Sequence, residues 1–176
     1  AQNVGCEVIE NEQMSRHTTF QIGGPADLFI TVSNIIALKD VIKAAGALGI
    51  PLLPLGNGSN LLVSDDGIRG AVLNLNGDFR KISLADPVTI NCGAGATLAS
   101  LCNFARKNSL SGLEFAWGIP GSAGGAAFMD AGAYDGQLSD VLFSTTHVTR
   151  SGRTGFLMGE EMKLGYRSSA YQTNGC

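Results

Sequence analysis

Residues 26–60 read ADLFITVSNIIALKDVIKAAGALGIPLLPLGNGSN and carry the strongest fold signal of the chain. Residues 26–32 are mostly apolar and end in three β-branched residues, which predicts a strand. Asn34 is a typical N-cap, and the apolar side chains that follow it recur at helical spacing. Gly49 predicts the end of that helix and Pro51 prevents its continuation. The short apolar run 52–55 predicts a second strand, so this segment predicts a strand–helix–strand unit that leads into a glycine-rich loop.

The sequence on either side of this unit predicts mostly strands. Residues 1–25 have no clear pattern and are expected to be irregular. A second helix is predicted from its N-cap Thr97 to about Lys107, and a short, weaker helix at 160–164. Further strands are predicted at 61–63, 71–75, 79–84, 88–92, 141–149 and 153–157. Strands outnumber helices and the connections are short, which predicts an α+β fold rather than a doubly wound sheet: a small βαβ lobe over 1–75 and a larger mixed-sheet lobe over 76–176.

Composition excludes several classes of function. The chain has 176 residues, a formal net charge of −3 and 15% charged residues. Its lysines and arginines are scattered, which argues against nucleic-acid binding through phosphate neutralisation. No apolar run is long enough to span a membrane, and the early glutamates do not fit a signal peptide, so a cytoplasmic protein is expected. The four cysteines are not closely spaced and there are two histidines, which predicts neither a disulfide framework nor a metal site.

Glycine is the unusual residue, with 24 of 176 positions, against a norm of about 7%. Many lie in three loops: GNGSN at 56–60, GAGAT at 93–97 and GIPGSAGGA at 118–126. Such loops let backbone N–H groups converge on an anion. None has the lysine of a P-loop or the third glycine of a dinucleotide fingerprint. A tight turn explains each loop singly, above all 93–97, but together they favour a ligand with a pyrophosphate and a large flat ring.

Four motifs then carry a resemblance: HTTFQIGGPAD (17–27), LGNGSNLLV (55–63), SGLEFAWGIPGSAGGA (111–126) with DAGAY (130–134), and GYRSS (165–169). In these motifs the sequence resembles the UDP-N-acetylenolpyruvoylglucosamine reductases, the flavoenzymes of peptidoglycan synthesis often called MurB. The resemblance implies a two-lobed FAD-binding fold of the vanillyl-alcohol-oxidase (PCMH) type and a cytoplasmic, FAD-dependent oxidoreductase.

The resemblance also implies where FAD is bound, without a covalent link. One set of residues cradles its pyrophosphate: Gly56, Asn57, Gly58, Ser59, Asn60 and the adjoining Leu61. A second set passes close to the phosphates and the isoalloxazine: Pro120, Gly121, Ser122, Gly124 and Gly125. A third set, Ala131, Gly132 and Ala133, lines the flavin. Valine in place of Gly58 or Gly124 is then expected to weaken FAD binding by filling the cofactor's space. The family usually has asparagine where this chain has Asp130, and an ionised carboxylate can only accept hydrogen bonds.

The reaction that the resemblance implies has two halves. NADPH reduces FAD, and the reduced flavin then reduces the enolpyruvyl ether of a UDP-sugar to UDP-N-acetylmuramate. Arg167 matches the family's arginine that stabilises the developing negative charge, and Tyr166 beside it is expected to shape the substrate pocket. The resemblance further implies a substrate-binding domain beyond residue 176, with a serine acid and a glutamate. Ser168 and Ser169 do not match the motif of that serine acid, and the resemblance gives them no role.

Two other functions remain open on the sequence. The chain could act as a stand-alone FAD-binding module without complete reductase activity. It could also be a flavin oxidase of the wider fold group with His17 as a covalent flavin anchor. His17 lies within the HTTF stretch of the reductase pattern, which favours the reductase.

Overall fold

The computed structural model describes residues 5–173, which divide into two compact units between Phe79 and Arg80. Within this described part of the chain, no helix is both long enough and apolar enough to cross a membrane.

The first unit is built on a four-stranded mixed sheet of order β1-β2-β4-β3. The strands are β1 (Cys6–Gln13), β2 (Pro25–Val32), β3 (Leu52–Leu55) and β4 (Ile68–Leu75). β1 pairs antiparallel with β2, whereas β4 lies between β2 and β3 and is parallel to both. The predicted strand–helix–strand unit is therefore present as β2, helix α1 (Ile35–Leu48) and β3, with β4 inserted between its two strands.

Local signals at both ends of α1 act as the sequence indicates. The Asn34 carboxamide oxygen accepts a hydrogen bond of 2.9 Å from the Ala37 N–H. Gly49 follows the last helical residue with a left-handed φ of +66°, which glycine adopts without strain. Leu38 and Ile42 lie on the buried face of the helix. Amphipathic spacing and caps therefore make the bounds of this helix readable from the sequence.

Two predictions in the first unit are wrong. Residues 1–25 were expected to be irregular, but Cys6–Gln13 form β1, whose side chains are mostly exposed. The strand exists because its backbone pairs with β2. Because most of its side chains are exposed, its sequence does not alternate between apolar and polar residues. Residues 61–63 form no strand; Val63 is instead buried against the core that includes Met14 and Phe29.

The second unit contains two helices and three two-stranded antiparallel sheets within its described residues. The helices are α2 (Leu98–Lys107) and α3 (Ala123–Met129). The sheets are β5 (Ile82–Leu84) with β6 (Ile90–Cys92), β7 (Gly132–Ala133) with β8 (Gly136–Gln137), and β9 (Ser144–Val148) with β10 (Thr154–Met158). Its core lies around Leu98, Leu101 and Ala116.

The α+β class is confirmed, while the sheets are distributed differently from the prediction. The mixed sheet lies in the first unit, and the second unit has only small sheets in its described part. Thr97 caps α2 as expected, accepting a hydrogen bond of 3.1 Å from the Ser100 N–H. Residues 160–164, predicted as a short helix, correspond to a 3-10 turn at Gly159–Met162. The predicted loop 118–126 is half helical, because α3 begins at Ala123.

Candidate functional site

The loop 56–60 leaves the carboxyl end of β3 with a row of available backbone donors. The N–H groups of residues 57–60 donate no hydrogen bond to any other group in the described chain. Gly58 has a φ of +62° and is the only residue of this loop with a positive φ. A positive φ between negative ones is typical of nests, in which successive N–H groups point toward one anion. The loop therefore has the donors that a phosphate requires.

The backbone of residues 17–19 packs against this loop at Gly58. The Thr19 N–H donates a hydrogen bond of 3.0 Å to the Gly58 carbonyl. A Cβ atom on Gly58 would lie 2.0 Å from the carbonyl oxygen of His17. Only glycine lets these two stretches of backbone approach so closely. The HTTF stretch of the first motif is thus a structural support for the loop of the second.

The His17 side chain is itself held in place within the first unit. Its ring stacks on Phe29 with centroids 4.0 Å apart. Its Nε2 lies 2.9 Å from a carboxylate oxygen of Glu12. This hydrogen bond lowers the pKa of the Glu12 carboxyl below its usual value. These contacts give His17 a structural role and offer no support for a covalent flavin anchor.

The first turn of α3 has no donors left for an anion, contrary to the expectation for a glycine-rich loop. The Ala123 N–H donates to the Ala96 carbonyl and the Gly124 N–H to the Ala94 carbonyl, both at 2.8 Å. The Gly125 N–H donates to the Ser122 hydroxyl at 3.2 Å. The loop 93–97 therefore serves as a cap for α3 through the carbonyls of Ala94 and Ala96.

The glycines of this motif differ in what lies beside them. A Cβ on Gly124 would lie 2.9 Å from the Cβ of Ala94, so Gly124 is required by packing inside the protein. The same holds for Gly58. A valine at either position would therefore strain the fold itself, whatever its effect on a ligand. By contrast, a Cβ on Gly121 would have its nearest neighbour at 3.6 Å, and one on Gly118 would have none within 4 Å in the described structure. A small side chain would therefore fit at Gly118 and Gly121 without displacing the surrounding protein.

Asp130 ends α3 and is almost fully buried, with 4% of its surface exposed. One carboxylate oxygen accepts 2.8 Å from the Ser139 N–H and the other lies 3.1 Å from the Ser139 hydroxyl. Both partners can donate, so an acceptor-only side chain fits this position. The contact also fixes the segment Ala131, Gly132 and Ala133 directly after α3.

The predicted flavin-lining residues Gly132 and Ala133 form strand β7 of a tight hairpin. Its two corner residues, Tyr134 and Asp135, have left-handed φ values of 52° and 63°. Positive φ at both corners is the type I′ arrangement, which usually takes asparagine and glycine. The strands are close, because a Cβ on Gly132 would lie 2.6 Å from the Gly136 carbonyl.

Arg167 lies at the corner of a turn closed by hydrogen bonds between Gly165 and Ser168, of 3.2 and 2.8 Å. Its φ is +55°, a left-handed conformation that is uncommon for arginine. The side chain is exposed, and its guanidinium makes no hydrogen bond or ion pair with residues 5–173. Tyr166 beside it is 90% exposed. Both side chains are thus available to a ligand.

Sequence reasoning missed two residues that hold this turn. The Ser169 hydroxyl donates 2.7 Å to the Phe128 carbonyl at the end of α3. The Gln172 amide donates 3.0 Å to the carbonyl of Arg167. The GYRSS turn and the segment 120–133 are therefore brought together around α3, whose seven residues span roughly 10 Å. The loop 56–60 belongs to the first unit. Among the described residues, no group of three or more His, Cys, Asp or Glu side chains could hold a metal ion.

A family model described as FAD binding domain matches residues 26–155. The chain belongs to this FAD binding domain family. It is 44% identical to the UDP-N-acetylenolpyruvoylglucosamine reductase of Clostridium tetani over 99% of its own length and 56% of that protein. The corresponding reductase of Agathobacter rectalis is 41% identical, over 96% of the chain and 57% of the relative. The resemblance seen in the four motifs is confirmed, and the chain spans about half the length of these relatives.

Solved structures agree with this assignment of the fold. The crystal structure of UDP-N-acetylenolpyruvylglucosamine reductase (MurB) from Thermus caldophilus superposes with a TM-score of 0.77 at 36% identity, over 93% of this chain and 56% of that one. 6-Hydroxy-D-nicotine oxidase from Arthrobacter nicotinovorans superposes with a TM-score of 0.68 at 17% identity, over 89% of this chain and 36% of that one. The second likeness, at 17% identity, shows the fold alone; together with the first it confirms the predicted fold.

Proposed function

We propose that this chain is the FAD-binding part of a cytoplasmic UDP-N-acetylenolpyruvoylglucosamine reductase. Its reaction would be the NADPH-linked reduction of UDP-N-acetylglucosamine enolpyruvate to UDP-N-acetylmuramate, in peptidoglycan synthesis. The relatives' names support the reaction. The proposal is carried by the row of N–H groups at residues 57–60, which have no partner in the described part of a chain that belongs to an FAD-binding family.

The residues present fit FAD. The N–H groups of residues 57–60 would bind the pyrophosphate, because an anion satisfies several convergent donors at once. Leu61 continues this loop, and Ser59 is its half-buried hydroxyl residue. In the second unit, Gly121, which has no side chain to keep a ligand away from its backbone, would contact the flavin together with the segment 131–133. Bound FAD supplies the hydride-transfer chemistry that the side chains of a protein lack.

The other predicted cofactor contacts in the second unit have narrower roles. Gly124 and Gly125 shape α3 rather than donate to phosphate, since their N–H groups are already bonded. Pro120 and Ser122 flank Gly121 and hold its backbone in place. The Ser122 hydroxyl does so as the N-cap of α3. We propose that these residues keep other side chains and water away from the flavin, and that they do not bind the phosphates of FAD.

Arg167 would bind the carboxylate of the enolpyruvyl group. Guanidinium is permanently charged and offers two parallel donors to a carboxylate. Its charge is in place before the reaction, so it would stabilise the negative charge that develops on the substrate when hydride arrives. Tyr166, exposed on the same turn, would contact the sugar nucleotide.

The test is an anaerobic spectroscopic titration of the complete holoprotein to which this chain belongs. A visible flavin band, bleached by NADPH and restored by the enolpyruvyl sugar nucleotide, is the expected result. A band that bleaches but is not restored would support a flavin-binding module without complete reductase activity. Absence of a flavin band after reconstitution with FAD would contradict the assignment of the loop 56–60.

A further inference from the structure

We infer that Gln172 is a positioning residue that sets the direction of Arg167 through the Arg167 backbone. This inference rests on the proposed function, because it takes Arg167 as the group that binds the substrate carboxylate. Gln172 lies outside the GYRSS motif, and its amide contacts the backbone carbonyl of Arg167 rather than the guanidinium.

Arg167 has a left-handed backbone conformation. Its φ of +55° puts a long side chain where glycine or asparagine is usual. A left-handed residue of this type persists only where its surroundings hold it. The turn's own hydrogen bonds, between Gly165 and Ser168, close the loop but do not bond to the carbonyl of Arg167.

The Arg167 carbonyl is bound by the side chain of Gln172. The Gln172 amide donates 3.0 Å to the Arg167 carbonyl and 3.3 Å to the Phe128 carbonyl. A primary amide has two N–H donors, so one side chain bridges both carbonyls. Phe128 is in the last turn of α3, whose carbonyls have no partner inside the helix. Gln172 therefore ties the corner of the turn to the end of a helix.

The segment that carries Gln172 is itself anchored to the rest of the second unit. Its short segment, Ala170–Gln172, is a 3-10 turn. On one side the buried Ser169 hydroxyl donates to the same Phe128 carbonyl at 2.7 Å. Within the segment, the Tyr171 hydroxyl forms a hydrogen bond with the Thr145 hydroxyl on β9. The amide is thus presented from a fixed base, and a change at Gln172 is transmitted to Arg167 rather than absorbed by a loose segment.

The decisive variant is Gln172→Glu in the complete holoprotein. Glutamate has nearly the same shape, but its oxygens cannot donate and face two carbonyl oxygens, so the tie becomes a repulsion. The matched control is Gln13→Glu, which makes the same charge change at an exposed position on β1. Stopped-flow absorbance separates flavin reduction by NADPH from flavin reoxidation by the enolpyruvyl sugar nucleotide.

We expect reoxidation to slow between about tenfold and a hundredfold in Gln172→Glu, the usual cost of misplacing a reacting group. Flavin reduction and the FAD dissociation constant should stay within about twofold, and Gln13→Glu should behave as wild type. In an Arg167→Ala background, Gln172→Glu should cause no further slowing, because both changes would act through one guanidinium.

Equal slowing of both half-reactions, with a lower melting temperature, would assign Gln172 a structural role only and overturn the inference. Unchanged reoxidation in Gln172→Glu would overturn it as well. If that variant does not fold, Gln172→Met removes the donors at similar size and is measured in the same way. A wild-type protein whose reduced flavin is not reoxidised by the sugar nucleotide would instead refute the proposed function, and with it the role of Arg167.

Discussion

Gly58 allows a direct test of whether the loop 56–60 must keep its observed shape to bind FAD. The perturbation is Gly58→Ala, and Gly49→Ala after α1 is a matched control in the same unit. Both glycines are left-handed, with φ values of +62° and +66°. They differ in space: a Cβ on Gly58 would lie 2.0 Å from the His17 carbonyl oxygen, whereas one on Gly49 would have no atom of the described chain within 4 Å.

The difference in space predicts a difference in stability. Alanine in the left-handed conformation costs about 1–2 kcal/mol at either position. At Gly58 the forced displacement of the backbone adds about 1–3 kcal/mol, typical of overpacking. We therefore expect Gly58→Ala to lower the free energy of unfolding by about 2–5 kcal/mol, and Gly49→Ala by about 1–2 kcal/mol.

The same displacement should weaken FAD binding. It moves the Gly58 carbonyl that accepts from Thr19 and with it the neighbouring N–H groups. Loss of one hydrogen bond to a charged group costs about 1.5–3 kcal/mol, which is a factor of about 10 to 150 in the dissociation constant. Gly49→Ala should leave FAD affinity unchanged, because no donor of the loop is moved.

The assays are urea unfolding of the FAD-free protein and fluorescence titration with FAD under conditions where both variants are folded. Equal losses of stability in the two variants would refute the argument from the close approach to His17. Unchanged FAD affinity in Gly58→Ala would refute the assignment of these N–H groups to the pyrophosphate.

Three further predictions concern single side chains. Asp130→Ala should lower the free energy of unfolding by about 1–3 kcal/mol, because the Ser139 N–H loses its acceptor, whereas Asp130→Asn keeps an acceptor and should lie close to wild type in urea unfolding; equal losses would contradict this. The hydrogen bond from His17 places the folded-state pKa of Glu12 below its unfolded value of about 4.3. The resulting stabilisation is complete above that pH and is lost as the pH falls through the folded pKa, and Glu12→Gln should remove this part of the pH dependence of the urea midpoint. Burial raises the pKa of the Cys92 thiol to about 11, so at pH 8 it should react with iodoacetamide much more slowly in the folded protein than in urea; equal rates would show that the thiol is accessible.

Much of the fold follows from local pattern. α1 and α2 begin at the predicted N-caps Asn34 and Thr97, and Gly49 ends α1, because caps and periodicity act over a few neighbouring residues. β1 was not predictable in this way. Its exposed side chains show no alternation, and the strand depends on pairing with β2, which is distant in sequence. The reverse error at residues 61–63 has the same cause, since an apolar run becomes a strand only where another strand can pair with it.

The sequence alone determined the family and the fold and proposed the segments of the candidate site, because four motifs identify a family without any knowledge of contacts. Only the tertiary structure decided which groups in those segments remain available. It bonds the N–H groups of Gly124 and Gly125 within the protein and gives those of residues 57–60 no partner among residues 5–173. It also brings Gln172 to the carbonyl of Arg167. The physical reason is that a hydrogen-bonding group is free or occupied according to its neighbours in space, and those neighbours come from distant parts of the chain.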